Sequence, residues 1–303
     1  MIVRAFNKLN TTLNKSAFNK KAAKIRATAP VSEFDSSSNL IVLSMVQKKD
    51  VDMYLIALKS FLKYLRPLKV VIVADPSIDE ETTALFHRHI AKLEVVPAEE
   101  FRFEGTPQGG CWERLNAISH YAQQHFVVQL DADTVTLSEP SEVIQKIRTN
   151  CSFTLGTRQG QKITTLAESA SFAREHKSET HNHIQIEAES VLDCLDLPFQ
   201  YYVRGCAGFA GFAPGSITQK IIEEASQIFH DEFKDRWIEW GSEQFMSNLI
   251  VANSEKITVL PIARYLTPES SDFQGLAFLH LIGEMRFSNS IYLDALNHYL
   301  KAQ

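Results

Sequence analysis

The chain of 303 residues contains no apolar window approaching the about 20 residues that a membrane-spanning helix requires, so the sequence reads as a soluble globular protein. Its first 30 residues lack the continuous apolar stretch of a secretory signal, although a presequence of the mitochondrial type would match their charge. Acidic residues are missing there as well: Arg4, Lys8, Lys15, Lys20, Lys21, Lys24 and Arg26 all precede the first acid, Glu33. This one-signed arm reads in two ways. It is either a frayed, solvated terminus or, because Ile2, Phe6, Leu9, Leu13 and Phe18 recur at helical spacing, an amphipathic helix lying on an anionic membrane surface. Cysteine is scarce. Cys111, Cys151, Cys194 and Cys206 form no close pair, which argues against a zinc cluster and leaves free thiols in a cytoplasmic protein as the expectation. A net charge of -5 lacks the basic field of nucleic-acid binders, so no nucleic-acid partner is expected.

What is present is enough apolar material, 45% of positions, for a sizeable core. An apolar run at 40–46 reads as a buried strand, followed by a helical stripe over 51–65 that ends against Pro67. Strands at 70–74 and 93–96 flank a helix over 80–92. A Gly-rich loop at 106–110 leads to a helix over 112–124 and a strand at 126–130. Strict alternation of this kind predicts an α/β fold: a Rossmann-like, mostly parallel central sheet with helices on both faces. Further on come a strand at 152–155 and a long polar stretch, 157–190, carrying His176, His181 and His183, which reads as a lid or substrate loop with surface histidines. A Gly-rich apolar segment at 205–215, helices near 217–229 and 243–252, and late strands near 257–261 and 277–280 complete the pattern. The implied division is a basic arm (1–38), a main domain (39–287) and a C-terminal helix (288–303).

Chemistry concentrates at Leu130-Asp131-Ala132-Asp133-Thr134, where an apolar strand delivers two carboxylates one residue apart. On extended backbone, Asp131 and Asp133 would point to one side, a geometry suited to a hard divalent cation. Open parallel sheets bind ligands outside the carboxyl ends of their strands. The competing reading is a simple turn capped by acids.

At this point the chain resembles the GT-A glycosyltransferases, nearest to the retaining group that includes glycogenin and the lipopolysaccharide galactosyltransferases. In that family the Asp-x-Asp binds the cation that grips the donor's two phosphates. Arg114, in Cys111-Trp112-Glu113-Arg114-Leu115, looks like the family's arginine on the preceding helix and would help hold the donor. Cys206-Ala207-Gly208 stands where an Asn-Ala-Gly-like segment is usual, a departure at Cys206. Glu243-Gln244, with Asn248 beyond, resembles the Asp-Gln motif. His280-Leu281-Ile282-Gly283 resembles the His-x-x-Gly element whose histidine completes the metal site, with Arg286 in place of the usual lysine. Blander roles exist for each: His280 as a core histidine, Glu243 as a helix-start charge, Arg114 as a surface residue, the glycines as packing devices.

The resemblance implies a nucleotide-sugar donor, UDP-linked, with metal ligands Asp131, Asp133 and His280, and would divide the main domain into a donor half, about 39–140, and a smaller acceptor-side half, about 141–287. A set of two carboxylates and an imidazole suits Mn2+ better than Mg2+. Ser44 and Asp75, at the ends of the first two strands, are candidate nucleotide contacts, and Gly283 a donor contact. In a retaining enzyme Gln244 would stabilise oxocarbenium-like charge and Arg286 the leaving group; in an inverting one Glu243 would be the base, its pKa raised by burial. A third reading is a haloacid-dehalogenase-type phosphatase with Asp131 as nucleophile, since the same segment also fits Asp-x-Asp-x-Thr. Trp237 and Trp240 could offer an aromatic surface to a sugar, lipid or protein acceptor. The acceptor and the oligomeric state have no signature in the sequence.

Overall fold

A computed structural model describes residues 2–180, 182–266 and 269–301, with side chains from residue 10 onward except at 284 and 285. In chain order the elements are α1 (Ile2–Ala22), β1 (Leu40–Val46), α2 (Val51–Leu62), β2 (Lys69–Ala74), α3 (Glu80–His89), β3 (Leu93–Pro97), α4 (Trp112–Tyr121), β4 (Phe126–Leu130), β5 (Thr134–Thr136), α5 (Ser141–Arg148) and β6 (Ser152–Gly156). They continue with β7 (Ile163–Thr165), α6 (Leu166–His176), α7 (Ile184–Ser190), β8 (Tyr201–Val203), β9 (Gly205–Phe212), α8 (Gln219–Phe233), α9 (Ser242–Ala252), β10 (Ile257–Leu260), β11 (Tyr265–Leu266), β12 (Phe278–His280) and α10 (Ile291–Lys301).

Seven strands form the central sheet in the order β10-β6-β9-β4-β1-β2-β3, parallel except where β9 runs against β4 and β6. Side chains alternate across it. Val42, Val46, Phe126 and Val128 enter a core shared with α1, α2 and α10, while Ile41, Leu43, Val71 and Val127 enter a second core with α4, α8 and α9. Burial on both faces explains why the strands read as continuous apolar runs. The helices end earlier than the sequence suggests, α2 at Leu62 and α3 at His89.

Two features position the site. The first is a three-stranded sheet, β11-β12-β5, in which β12 pairs antiparallel with β5 so that His280 lies opposite Thr134. The second is the basic arm. It is helical, and Phe18, Ala22 and Ile25 are buried, with the Phe18 ring 4.0 Å from that of Tyr292 and 5.5 Å from that of Phe287. Lys15, Lys20 and Lys24 remain on the outside. The arm side chains before residue 10, including Ile2, Arg4, Phe6, Lys8 and Leu9, and all of His181, lie outside the described residues. The polar stretch 157–190 is organised by β7, which pairs with β8, and by α6 packed on α7; Thr165 and Glu168 form a reciprocal cap at the start of α6. No described helix is long and apolar enough to cross a membrane.

Candidate active site

Between the carboxyl ends of β1, β2 and β4 and the starts of α4 and α9 lies a cleft of about 520 Å³. Asp131, Ala132 and Asp133 cross its floor. They do so in a turn between β4 and β5, not on the extended backbone that the sequence suggested; the Thr134 hydroxyl closes the turn by donating to the Asp131 carbonyl at 2.8 Å. The Asp131 amide donates to the Gly208 carbonyl at 2.9 Å, and the Leu281 amide to the Asp133 carbonyl at 2.9 Å, so β9 and the end of β12 both clamp the turn.

His280 is brought to this turn by the β5–β12 pairing. Oxygen and nitrogen atoms of Asp131, Asp133 and His280 all lie within 4.8 Å of one another, and this is the one cluster of three or more potential metal ligands among the described residues. His280 Nε2 is 3.1 Å from an Asp133 carboxylate oxygen, and Arg286 is 3.1 Å from the other. Behind the imidazole, Cys206 Sγ lies 3.3 Å from Nδ1. Gly208 leaves the space the ring occupies: a Cβ there would fall 2.1 Å from His280 Cε1. Burial opposes charge on His280, yet Cys206 and Asp133 hold its pKa well above the ordinary value. Burial likewise works against the Asp133 carboxylate, but His280 and Arg286 outweigh it and lower its pKa. At Asp131 burial prevails over Arg114 and the pKa is raised.

Arg114, on the first turn of α4, sits between two carboxylates, 2.5 Å from Asp131 and 3.0 Å from Glu243. Its two terminal nitrogens thus brace the acid turn, while Nε has no hydrogen-bond partner among the described residues and the side chain lines the cleft. Glu243 is buried, and burial pushes its carboxyl up to about 7. Gln244 lines the cleft and donates to Gln185 Oε1 at 2.8 Å. Asn248 supports β9 from behind by donating to the Gly205 carbonyl at 3.0 Å.

Of the other expected residues, Asp75 and Gly283 line the cleft. Ser44 does not: it is buried and its hydroxyl donates to the Leu130 carbonyl at 2.6 Å, tying β1 to β4 beneath the site. Trp237 is fully buried, with its indole N–H on Ser226, whereas Trp240 is exposed at the cleft edge, its ring 5.5 Å from that of His183. His183 caps α7 through its ring, and His176 stacks on Phe172. Residues not anticipated include Asp50 and Met53 from the start of α2, Gln47, and Gly109, Gly110 and Cys111, which line the cleft just ahead of α4. Cys111 holds a φ of 75°, a left-handed conformation that was a signal only structure could give.

No protein-family model matches the sequence, and no curated protein matches it either. Solved structures do resemble the fold. The WbbM bifunctional glycosyltransferase, in its apo form, superposes with a TM-score of 0.54 at 12% identity over 89% of this chain and 51% of that one, so this chain spans about half of WbbM's length. The galactosyltransferase LgtC in complex with donor and acceptor sugar analogues gives 0.44 at 10% identity, over 80% of this chain and 87% of that one. Mouse xyloside xylosyltransferase 1, also apo, gives 0.44 at 13% identity, over 80% and 97%. Together with the sheet order, the WbbM likeness identifies the architecture as the GT-A glycosyltransferase fold.

Proposed function

We propose that this chain is a metal-dependent glycosyltransferase that moves a sugar, with retention, from a UDP-linked donor to a hydroxyl acceptor. The observation that carries the proposal is the Asp131–Asp133–His280 triad on the floor of a cleft at the ligand-binding edge of a GT-A sheet. The cleft's charge adds to it. Among its lining residues five acids, Asp50, Asp75, Asp131, Asp133 and Glu243, stand against three cationic groups, Arg114, Arg286 and His280, so a bound divalent cation would favour the approach of a diphosphate. Two carboxylates and one imidazole at mutual ligand distance fit a divalent ion, Mn2+ better than Mg2+. When bound there, such an ion supplies Lewis-acid stabilisation of the departing diphosphate.

The protein's own groups have separable tasks. Arg114 holds Asp131 in place, and Arg286, paired with Asp133 at the cleft wall, offers positive charge to the leaving phosphate oxygens. The starts of α4 and α9 aim their N-terminal dipoles at the same space. Gln244 faces the sugar. Retention is favoured over inversion because Glu243, the base an inverting route would use, borders the cleft but is 3% exposed with Oε2 held by Arg114, whereas Gln244 is the more exposed of the two. The phosphatase reading is disfavoured because the sheet order and the WbbM likeness are those of the GT-A fold, and one of the two Asp131 oxygens is already held by Arg114. The test is release of nucleoside diphosphate from a panel of UDP-, GDP- and ADP-sugars with Mn2+, with product configuration read by NMR. A UDP-sugar turned over with retention supports the proposal. No donor turnover alongside Mg2+-dependent hydrolysis of a phosphomonoester contradicts it.

A further inference from the structure

What Gln244 presents to the cleft depends on which way round its amide sits: oxygen favours positive charge, the NH2 group repels it. Its Nε2 donates to Gln185 Oε1 at 2.8 Å. Gln185, on α7, donates in turn to Glu189 Oε1 at 3.1 Å, one helical turn further on, and its Nε2 also reaches the Tyr202 hydroxyl at 3.4 Å. Glu189 is 1% exposed and accepts at both oxygens: Tyr202 donates to Oε1 at 2.8 Å and the Arg204 guanidinium pairs with Oε2.

This series works in one direction only. A reversed Gln185 would set its oxygen against the Glu189 carboxylate. A reversed Gln244 would set its oxygen against that of Gln185. The acceptor-only carboxylate therefore dictates two amides in succession, and among the described residues no donor reaches Gln244 Oε1, which is left to the cleft. We infer that Gln185 and Glu189 are positioning residues that fix the Gln244 amide with its oxygen toward the sugar. The inference rests on the glycosyltransferase reading for its catalytic consequence, but the amide's orientation is a property of the free protein.

The experiment compares wild type, Gln185→Leu and the exchanged double variant Gln185→Glu with Glu189→Gln. In the exchanged variant the amide placed at position 189 donates to the carboxylate placed at position 185, and that carboxylate accepts from Gln244. Side-chain NH2 resonances of Gln244, assigned through Gln244→Ala, report the hydrogen bond; UDP release from the preferred donor in Mn2+ reports kcat and KM. Expected are slow exchange of the Gln244 NH2 in wild type, its loss in Gln185→Leu with a fall in kcat of about 10–100-fold, and recovery of both in the exchanged variant. The donor KM and Tm are expected to hold, within about twofold for KM, because the residues gripping the donor are untouched. Unprotected Gln244 NH2 in wild type, unchanged kcat in Gln185→Leu, or parallel losses of kcat, donor affinity and Tm would each overturn the inference. If wild type turns over no nucleotide sugar, the glycosyltransferase reading fails by itself, while the NMR comparison still decides whether the relay exists.

Discussion

Gly208→Ala tests the metal cradle with the smallest possible perturbation. The added methyl would stand 2.1 Å from His280 Cε1 and 2.5 Å from Nε2. Ordinary carbon–carbon contact is about 3.5 Å, so the ring must retreat by about 1.4 Å or β9 must shift. Overpacking of this kind costs about 1–3 kcal/mol, a loss of a few °C in Tm for a domain of this size. The effect on metal binding is larger in proportion, since ligand distances tolerate only about ±0.2 Å. A Mn2+ affinity reduced at least about tenfold is expected, taking as a floor the loss typical when only a ligand's support is removed. Isothermal titration with Mn2+, read beside calorimetric Tm, separates the two effects. Gly215→Ala is the control: its φ of 74° makes the substitution strained, but nothing lies within 4 Å of the new methyl and it does not line the cleft, so Tm should fall while Mn2+ affinity holds. A Gly208→Ala protein that binds Mn2+ as tightly as wild type would refute the assignment of His280 as a ligand.

Cys206→Ala strands a buried His280 Nδ1 and should weaken Mn2+ binding by about 10–100-fold, whereas Cys206→Ser, which can donate or accept, should stay near wild type; a Cys206→Ala protein that titrates with wild-type affinity would deny the sulfur its supporting role. Glu243→Gln removes a carboxyl whose folded pKa, about 7, exceeds its ordinary value, so the wild type's contribution from protonated Glu243 is complete below about pH 4.5 and lost as pH rises through 7. The stability of Glu243→Gln relative to wild type, measured by urea unfolding in EDTA, should therefore rise by up to about 3 kcal/mol between pH 4.5 and 8; a flat difference would contradict the shift. Phe18→Ala should cost about 3–5 kcal/mol and lower Tm markedly, because the ring is buried against Tyr292; an unchanged Tm would mean that α1 is not part of the cooperative fold.

The parts of this fold that were legible are those written in local periodicity. The apolar runs of β1 and β4 announce strands buried on both faces, and the acid pair follows directly from the end of β4. His280 was recognisable only by motif likeness, because β5 and β12 are three residues each and their pairing joins positions far apart in the chain. Side-chain direction was the harder matter. Ser44 stands near the right end of β1 but points at the β4 backbone, and Trp237 and Trp240, three residues apart, divide between core and cleft. Gln185 and Glu189 lie in a polar stretch whose short helix carries no strong apolar stripe, so nothing local marked them as neighbours of Gln244. Phe18 fitted an amphipathic arm, and the structure shows the surface it covers to be the protein's own.

The central claim is that Asp131 and Asp133 hold the cation through which a nucleoside diphosphate is bound. The most direct measurement is the thermal shift produced by UDP in Mn2+ and in EDTA, for wild type and for Asp131→Asn with Asp133→Asn. The account predicts stabilisation of wild type by UDP that requires Mn2+ and vanishes in the double variant. Stabilisation by UDP that persists in EDTA or in the double variant, or no response of wild type to UDP in Mn2+, would contradict it.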